Sequence, residues 1–289
     1  MPRNRNRVIL VTGATGHQGG AVWRKLRERD FPVRALTRDP DQAKARDLAG
    51  HGTEVVRGDL DDRVTLTRAL DGAYGVFSVQ SPAEHGVAAE VRQGITLADT
   101  AKRSRIGHFV YSSVASAYQN TGIPHFDSKF RIEQHLRGTG MRFTIFRPVF
   151  FMENWLGMRP QIEQGTLPLP LKPEARLQMV AVDDIGAFVA MAFENPDRWQ
   201  GQAREIAGDE LSMSELAGRF SRTMGREVAY RQVPWDEWER QAGREMTIMW
   251  RWFEAAGYHV DIPQLRQDYP QLTGFDRWIA QKWTLRRTA

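Results

Sequence analysis

Three stretches of this 289-residue sequence combine residue types and spacings that could do chemistry. The first is Val11-Thr12-Gly13-Ala14-Thr15-Gly16-His17-Gln18-Gly19-Gly20, a GxxGxxG loop between an apolar run and an amphipathic helical pattern. Gly13 suits a tight turn, Gly16 lets the backbone approach a pyrophosphate, and Gly19 permits close helix packing, with the helix N-terminus facing the phosphates. The competing reading is a tight turn with no ligand. The second stretch is Leu36-Thr37-Arg38-Asp39, where an acidic residue would hold the ribose hydroxyls of NAD and an arginine would accommodate the extra phosphate of NADP. Arg38 can fork onto a phosphate, whereas Asp39 comes one residue later and precedes Pro40, so NADP(H) is the expected cofactor. A plain surface charge is the alternative for Arg38. The third is Gly58-Asp59-Leu60-Asp61-Asp62, which sets Asp59 and Leu60 where a carboxylate can accept from the adenine amino group. Asp59 can instead cap a helix, and Asp61 or Asp62 suits that role better.

The elements that must position these residues are visible as alternation. Short β-branched or apolar runs at 7–12, 32–36, 53–57, 75–79, 108–112 and 142–147 alternate with helical patterns such as 19–29, 63–70, 90–104 and 126–137. Such alternation predicts βαβ units with right-handed crossovers, hence α/β architecture: an open, doubly wound parallel Rossmann sheet. After Pro148 the pattern changes. Residues 165–173 are proline-rich and read as a mobile loop; a strand over 177–182 and a helix over 184–194 follow. Ser212 and Glu215 have capping-box spacing. Residues 1–150 are therefore expected to form the nucleotide domain, with segments near 177–195 returning to it. Residues 151–289 would form a smaller α/β C-terminal lobe for a substrate or partner, its six late tryptophans (Trp235, Trp238, Trp250, Trp252, Trp278, Trp283) docking helices there.

Composition narrows the classes. Cysteine is absent, which excludes disulfides, thiolate metal sites and cysteine nucleophiles, and no metal is expected. No apolar run reaches the roughly 18 residues of a membrane span, and Val8–Val11 is too short for a signal-peptide core, so a cytoplasmic protein is expected. The net charge of +5 is spread among interspersed acids and bases, apart from Arg286 and Arg287 at the tail, which argues against nucleic acid as a partner.

With TGATGHQGG, TRDP and GDLDD in this order, the chain resembles the short-chain dehydrogenase/reductase superfamily, in its atypical NmrA-like branch. Glu90-Val91-Arg92-Gln93-Gly94, Tyr111-Ser112-Ser113, His125-Phe126-Asp127-Ser128-Lys129, Arg147 to Asn154 and Val182 to Gly186 extend the resemblance over most of the chain. It implies an NADP(H)-binding domain, a smaller lobe and a cleft between them. It also implies cofactor contacts from Gly13, Ala14, Thr15, Gly16, His17, Gln18 and Gly19, from Arg38 and Lys129, and from Phe151, Met152, Glu153 and Asn154. Arg92 is a further candidate contact, with a surface helix charge as its alternative.

Short-chain dehydrogenases pair a tyrosine with a lysine four residues later on one helical face, where the lysine lowers the phenol's pKa. Here His125 stands at the tyrosine position and Lys129 at the lysine, while the serine position of extended relatives aligns with Val114. Lys129 can still hold the nicotinamide ribose. His125 can act as an acid near neutral pH or simply pack. Two functions follow: a redox-sensing regulator that passes cofactor occupancy to a protein partner, and an NADPH-dependent reductase of a quinone, imine or carbonyl. The lost phenol favours the first, which is the expected function, with the reductase as its alternative. The aromatic segment Phe150, Phe151 and Trp155 favours the second, since an apolar planar substrate suits such a pocket.

Overall fold

A computed structural model describes residues 4–283, the side chain of Glu84 excepted; Arg286 and Arg287 lie outside the described residues. The first half alternates as expected. β1 (Ile9–Val11), α1 (His17–Arg27), β2 (Val33–Thr37), α2 (Ala43–Gly50), β3 (Glu54–Arg57) and α3 (Arg63–Leu70) lead to β4 (Gly75–Ser78). α4 (Pro82–Arg103), β5 (His108–Ser112), α5 (Pro124–Gly138) and β6 (Phe143–Pro148) complete that half. Then come β7 (Phe150–Phe151), α6 (Arg159–Glu163), β8 (Thr166–Leu169), β9 (Arg176–Val180), α7 (Val182–Glu194), α8 (Pro196–Trp199) and β10 (Ala203–Ile206). The chain closes with β11 (Asp209–Ser212), α9 (Met213–Met224), β12 (Ala229–Gln232), α10 (Trp235–Ala242), α11 (Arg244–Ala255), α12 (Ile262–Asp268) and α13 (Phe275–Lys282).

Strands order as β10-β6-β5-β4-β1-β2-β3, and every pairing from β6 to β3 is parallel. This is the doubly wound Rossmann sheet, whose strand order reverses between β1 and β4. Ile9, Leu10 and Val11 are fully buried at its centre, consistent with a parallel strand covered on both faces. The chain divides into two compact units: 1–120, 124–147 and 185–204 in the first, and 121–123, 148–184 and 205–289 in the second.

The expected return of 177–195 to the nucleotide domain happens only in part. From Ile185 onward α7 clusters with the first unit, and Gly186 makes the approach: a Cβ there would lie 2.6 Å from the Ala21 carbonyl oxygen. The strand does not return. β9 pairs antiparallel with β11 and parallel with β7 in a separate three-stranded sheet of the second unit.

The proline-rich loop expected over 165–173 is also corrected. Residues 166–169 form β8, parallel to β12, and Leu167, Leu169 and Leu171 are fully buried. The leucines alternate with Pro168 and Pro170, and a two-stranded sheet tolerates residues that cannot donate. Tyr230 fixes the segment by donating its hydroxyl to the Leu169 and Leu171 carbonyls. The capping box is present: Ser212 Oγ accepts from the Glu215 amide, and Glu215 accepts from the Ser212 amide. Of the six late tryptophans, Trp250, Trp278 and Trp283 are buried in the second unit, while Trp235, Trp238 and Trp252 are half-buried.

Within that unit Asp184 accepts from the Thr273 amide at 2.9 Å and the Thr273 hydroxyl at 3.1 Å. Burial pushes its carboxyl up to about 6 against the opposing pull of the Thr273 bonds. A folded-state pKa raised above the unfolded value of 3.8 penalises the charged form. Its cost is therefore absent below pH 4 and complete above pH 6, where it amounts to between about 2 and 3 kcal/mol. Asp184→Asn should flatten the fall in stability between pH 4 and 7, measured as denaturant midpoints across that range. Parallel wild-type and variant curves would refute this assignment.

Candidate functional site

The glycine turn is built by its own backbone. Gly13 sits at φ +62°, a left-handed conformation that favours glycine, and its carbonyl accepts from the Gly16 amide at 2.9 Å. A Cβ on Gly19 would lie 2.2 Å from the Gly13 carbonyl oxygen, so α1 rests directly on the turn. Gly16 is the N-cap of α1 and places no side chain over the first helical amides. Thr12 stitches the end of β1 to the end of β4, its hydroxyl exchanging bonds with the Val79 carbonyl and amide. Ser112, closing β5, donates to Gln18 Oε1 at 2.6 Å. The Ala14 side chain is buried and Thr15 half-buried, while Gly16 and His17 are exposed. This cradle, open in backbone amides and closed to side chains, fits a pyrophosphate at the point where the strand order reverses.

Arg38 follows β2 and is exposed, with Nη1 3.3 Å from His85 Nε2. Asp39 spends its carboxylate on the turn by accepting from the Asp41 amide, which leaves Arg38 as the chemistry at this strand end. Asp59 accepts from the Asp61 amide at 2.9 Å, and Asp62 caps α3 by accepting from Val64 and Thr65. Leu60 packs half-buried against the sheet core. Arg92, exposed on α4, grips Asp61 with its guanidinium at 2.7 and 3.3 Å, and Gln93 joins the same carboxylate at 2.9 Å. The Arg92 hydrogen bond holds the Asp61 carboxyl below the usual carboxylate range.

Lys129 lies on α5 with its ammonium donating to Glu90 Oε1 at 2.8 Å and to the Gln80 carbonyl at 3.3 Å. Glu90 is fully buried, and its other oxygen accepts from Ser128 Oγ. One turn earlier His125 packs edge-on against Phe126 at 5.0 Å. Tyr111 offers no substitute phenol: burial, reinforced by the charges of Glu90 and Glu133, pushes its hydroxyl well above the ordinary value. Glu90 is the residue that sequence reasoning missed as an individual group; its signal was a carboxylate four positions before Gly94 on an otherwise apolar helical face.

The Phe151–Asn154 segment lies in the second unit. Met152 is fully buried, and Glu153 accepts from the Val182 amide and the Trp278 indole, each at 3.0 Å. Both side chains pack within that unit; Phe151 is half-buried and Asn154 exposed. Phe150 packs with Trp155, Trp250 and Phe253. Among the described residues no helix is long and apolar enough to cross a membrane.

A parallel sheet of this order, with a glycine turn where the order reverses, defines the dinucleotide-binding α/β class. The NmrA-like family model matches residues 5–279, and the chain belongs to that family. It is 34% identical over 244 residues to an NAD(P)H azoreductase of Xenophilus azovorans, covering 84% of this chain and 81% of the azoreductase. In fold it is similar to the Citrobacter sp. triphenylmethane reductase solved with NADP(H), at TM-score 0.84 and 20% identity over 95% of this chain and 99% of the other. It is likewise similar to NmrA, a negative transcriptional regulator solved with NADP, at TM-score 0.78 and 20% identity over 96% and 95% of the two chains.

Proposed function

We propose that the protein is an NADPH-dependent reductase acting on a planar, conjugated acceptor such as a quinone, imine, carbonyl or azo compound. The observation that carries this reading is Lys129, held as a largely buried donor at the end of β4, on the side of the glycine turn away from Arg38. The azoreductase likeness supports a reductase over a binding protein. The backbone from Gly13 to Gly19 would receive the pyrophosphate, Arg38 the 2′-phosphate, Asp59 and Leu60 the adenine, and Lys129 the nicotinamide ribose. Arg92 would join them by exchanging Asp61 for a phosphate. Bound NADPH supplies a hydride. A conjugated acceptor needs no tyrosine to take it, because the accompanying proton can come from His125 or water.

NADPH oxidation against a panel of such acceptors tests this, with turnover expected to be lost in Lys129→Ala. Arg38→Ala should weaken NADPH roughly tenfold to thirtyfold and leave NADH unchanged, the loss of a charge-assisted fork on an exposed phosphate. Equal weakening of both cofactors would overturn the role of Arg38. His125 in place of the phenol favours a second reading, a regulator that binds the cofactor without turning it over. Saturable NADPH binding with no oxidation by any acceptor would support that one.

A further inference from the structure

Lys129 is a largely buried cation with a fully buried anion beside it. α4 and α5 pack closely because Gly94 leaves no Cβ to meet Ile132, whose Cδ1 would lie 2.6 Å from it. One turn before Gly94 is Glu90, and one turn before Ile132 is Ser128, with Lys129 beside it. The close approach therefore brings the Glu90 carboxylate to the Lys129 ammonium at 2.8 Å, the carboxylate fully shielded from water and the lysine side chain 12% exposed. Neither partner is loosely held. Glu90 is anchored through its second oxygen by Ser128, and Lys129 by the Gln80 carbonyl. Gln80 in turn donates from its amide to Ser78 Oγ at 3.0 Å.

The topology says which part of a dinucleotide meets this pair. The glycine turn follows β1, Arg38 follows β2 on one side, and Gln80 follows β4 on the other. A ligand with its pyrophosphate on the turn and its 2′-phosphate at Arg38 must carry its nicotinamide half toward β4, where Lys129 is anchored. That half bears one positive charge when oxidised and none when reduced. An uncompensated Lys129 would repel the oxidised form, and Glu90 removes the repulsion.

We infer that Glu90 is a positioning residue that sets which oxidation state of the cofactor this site prefers, by neutralising the Lys129 ammonium beneath the nicotinamide half. The inference rests on the NADP(H)-binding reading above. A single buried charge acting over several ångströms in partly polar surroundings changes the ratio of affinities by roughly fivefold to tenfold. In a reductase, the same balance governs release of the oxidised product. In a sensor, it governs which redox state is reported.

The test is the ratio of Kd values for NADP+ and NADPH, measured by calorimetry on the full chain. Glu90→Gln should raise that ratio roughly fivefold to tenfold, weakening NADP+ more than NADPH, and Lys129→Met should move it the opposite way by leaving Glu90 uncompensated. The double variant should return it near the wild-type value. A purely structural role for Glu90 would weaken both forms together and leave the ratio fixed, which would overturn the inference. If Glu90→Gln does not fold, Glu90→Met, which removes the charge and keeps the side chain's length, takes its place, and a ratio unchanged from wild type would overturn the inference. Wild-type protein that binds neither form would instead refute the cofactor reading itself.

Discussion

Gly19→Ala will remove dinucleotide binding, weakening NADPH by about a hundredfold or more, and will also destabilise the first unit. The added Cβ would stand 2.2 Å from the Gly13 carbonyl oxygen, 2.4 Å from the Gly13 carbonyl carbon and 2.6 Å from the Thr12 oxygen. None of these is the end of a flexible side chain. Gly13 is fixed by its left-handed φ and its bond to the Gly16 amide, and Thr12 by the two bonds that join it to Val79. Relief must come from α1 withdrawing or the turn unfolding, and overpacking of this kind costs about 1–3 kcal/mol, sometimes more. Either movement displaces the helical amides from the pyrophosphate, and an error near 1 Å at a positioning group costs about a hundredfold. Gly20→Ala is the control, since its Cβ would come no nearer than 3.3 Å to the Ala14 oxygen. Fluorescence titration with NADPH and a thermal melt measure both effects. The account of the turn is wrong if Gly19→Ala binds NADPH within threefold of wild type while Gly20→Ala does not.

That turn was legible because its logic is local. Glycine at 13, 16 and 19 between a buried strand and a helix leaves few other uses, and the order of the parallel strands follows from right-handed crossovers. The position of Arg38 just past the end of β2 was legible for the same reason. The capping box at Ser212 and Glu215 is four residues long and needs no tertiary knowledge. What escaped depends on contacts between distant segments. Lys129 and Glu90 are 39 positions apart and meet only because Gly94 admits α5. Arg92 has Asp61, 31 positions away, as its partner, and nothing in the local sequence pairs them. Glu153 has its carboxylate's partners, Val182 and Trp278, at 29 and 125 positions along the chain. The two prolines at 168 and 170 suggested a loop because proline weakens a strand, but the leucines around them alternate into a core that the sequence alone does not locate. Local chemistry was therefore readable and its electrostatic surroundings were not.

The same limit applies to Arg147, a motif residue whose partner lies on another element. Its guanidinium forks onto Glu133 at 2.9 and 2.6 Å, with Glu133 fully buried and Arg147 nearly so. Arg137 is a more distant neighbour of the same carboxylate at 3.9 Å, and the Tyr118 ring lies over Arg147 at 4.6 Å. Arg147→Met should therefore cost about 3–5 kcal/mol, because it strands a buried carboxylate instead of deleting a pair. For a chain of this size that corresponds to a fall in Tm of roughly 10 °C. Removing both charges, in Arg147→Met with Glu133→Leu, should recover most of the loss, since apolar replacements of buried pairs are often neutral or stabilising. Simple additivity of the two single substitutions in a double-mutant cycle would contradict the pairing. The consequence reaches the candidate site, because Glu133 lies one turn beyond Lys129 on α5 and the fork ties that helix to the end of β6. In Arg147→Met, NADPH affinity should fall even at temperatures where the chain stays folded, while the double variant regains affinity along with stability. Affinity that stayed at the wild-type value in the folded single variant would show that α5 holds Lys129 in place without this tie.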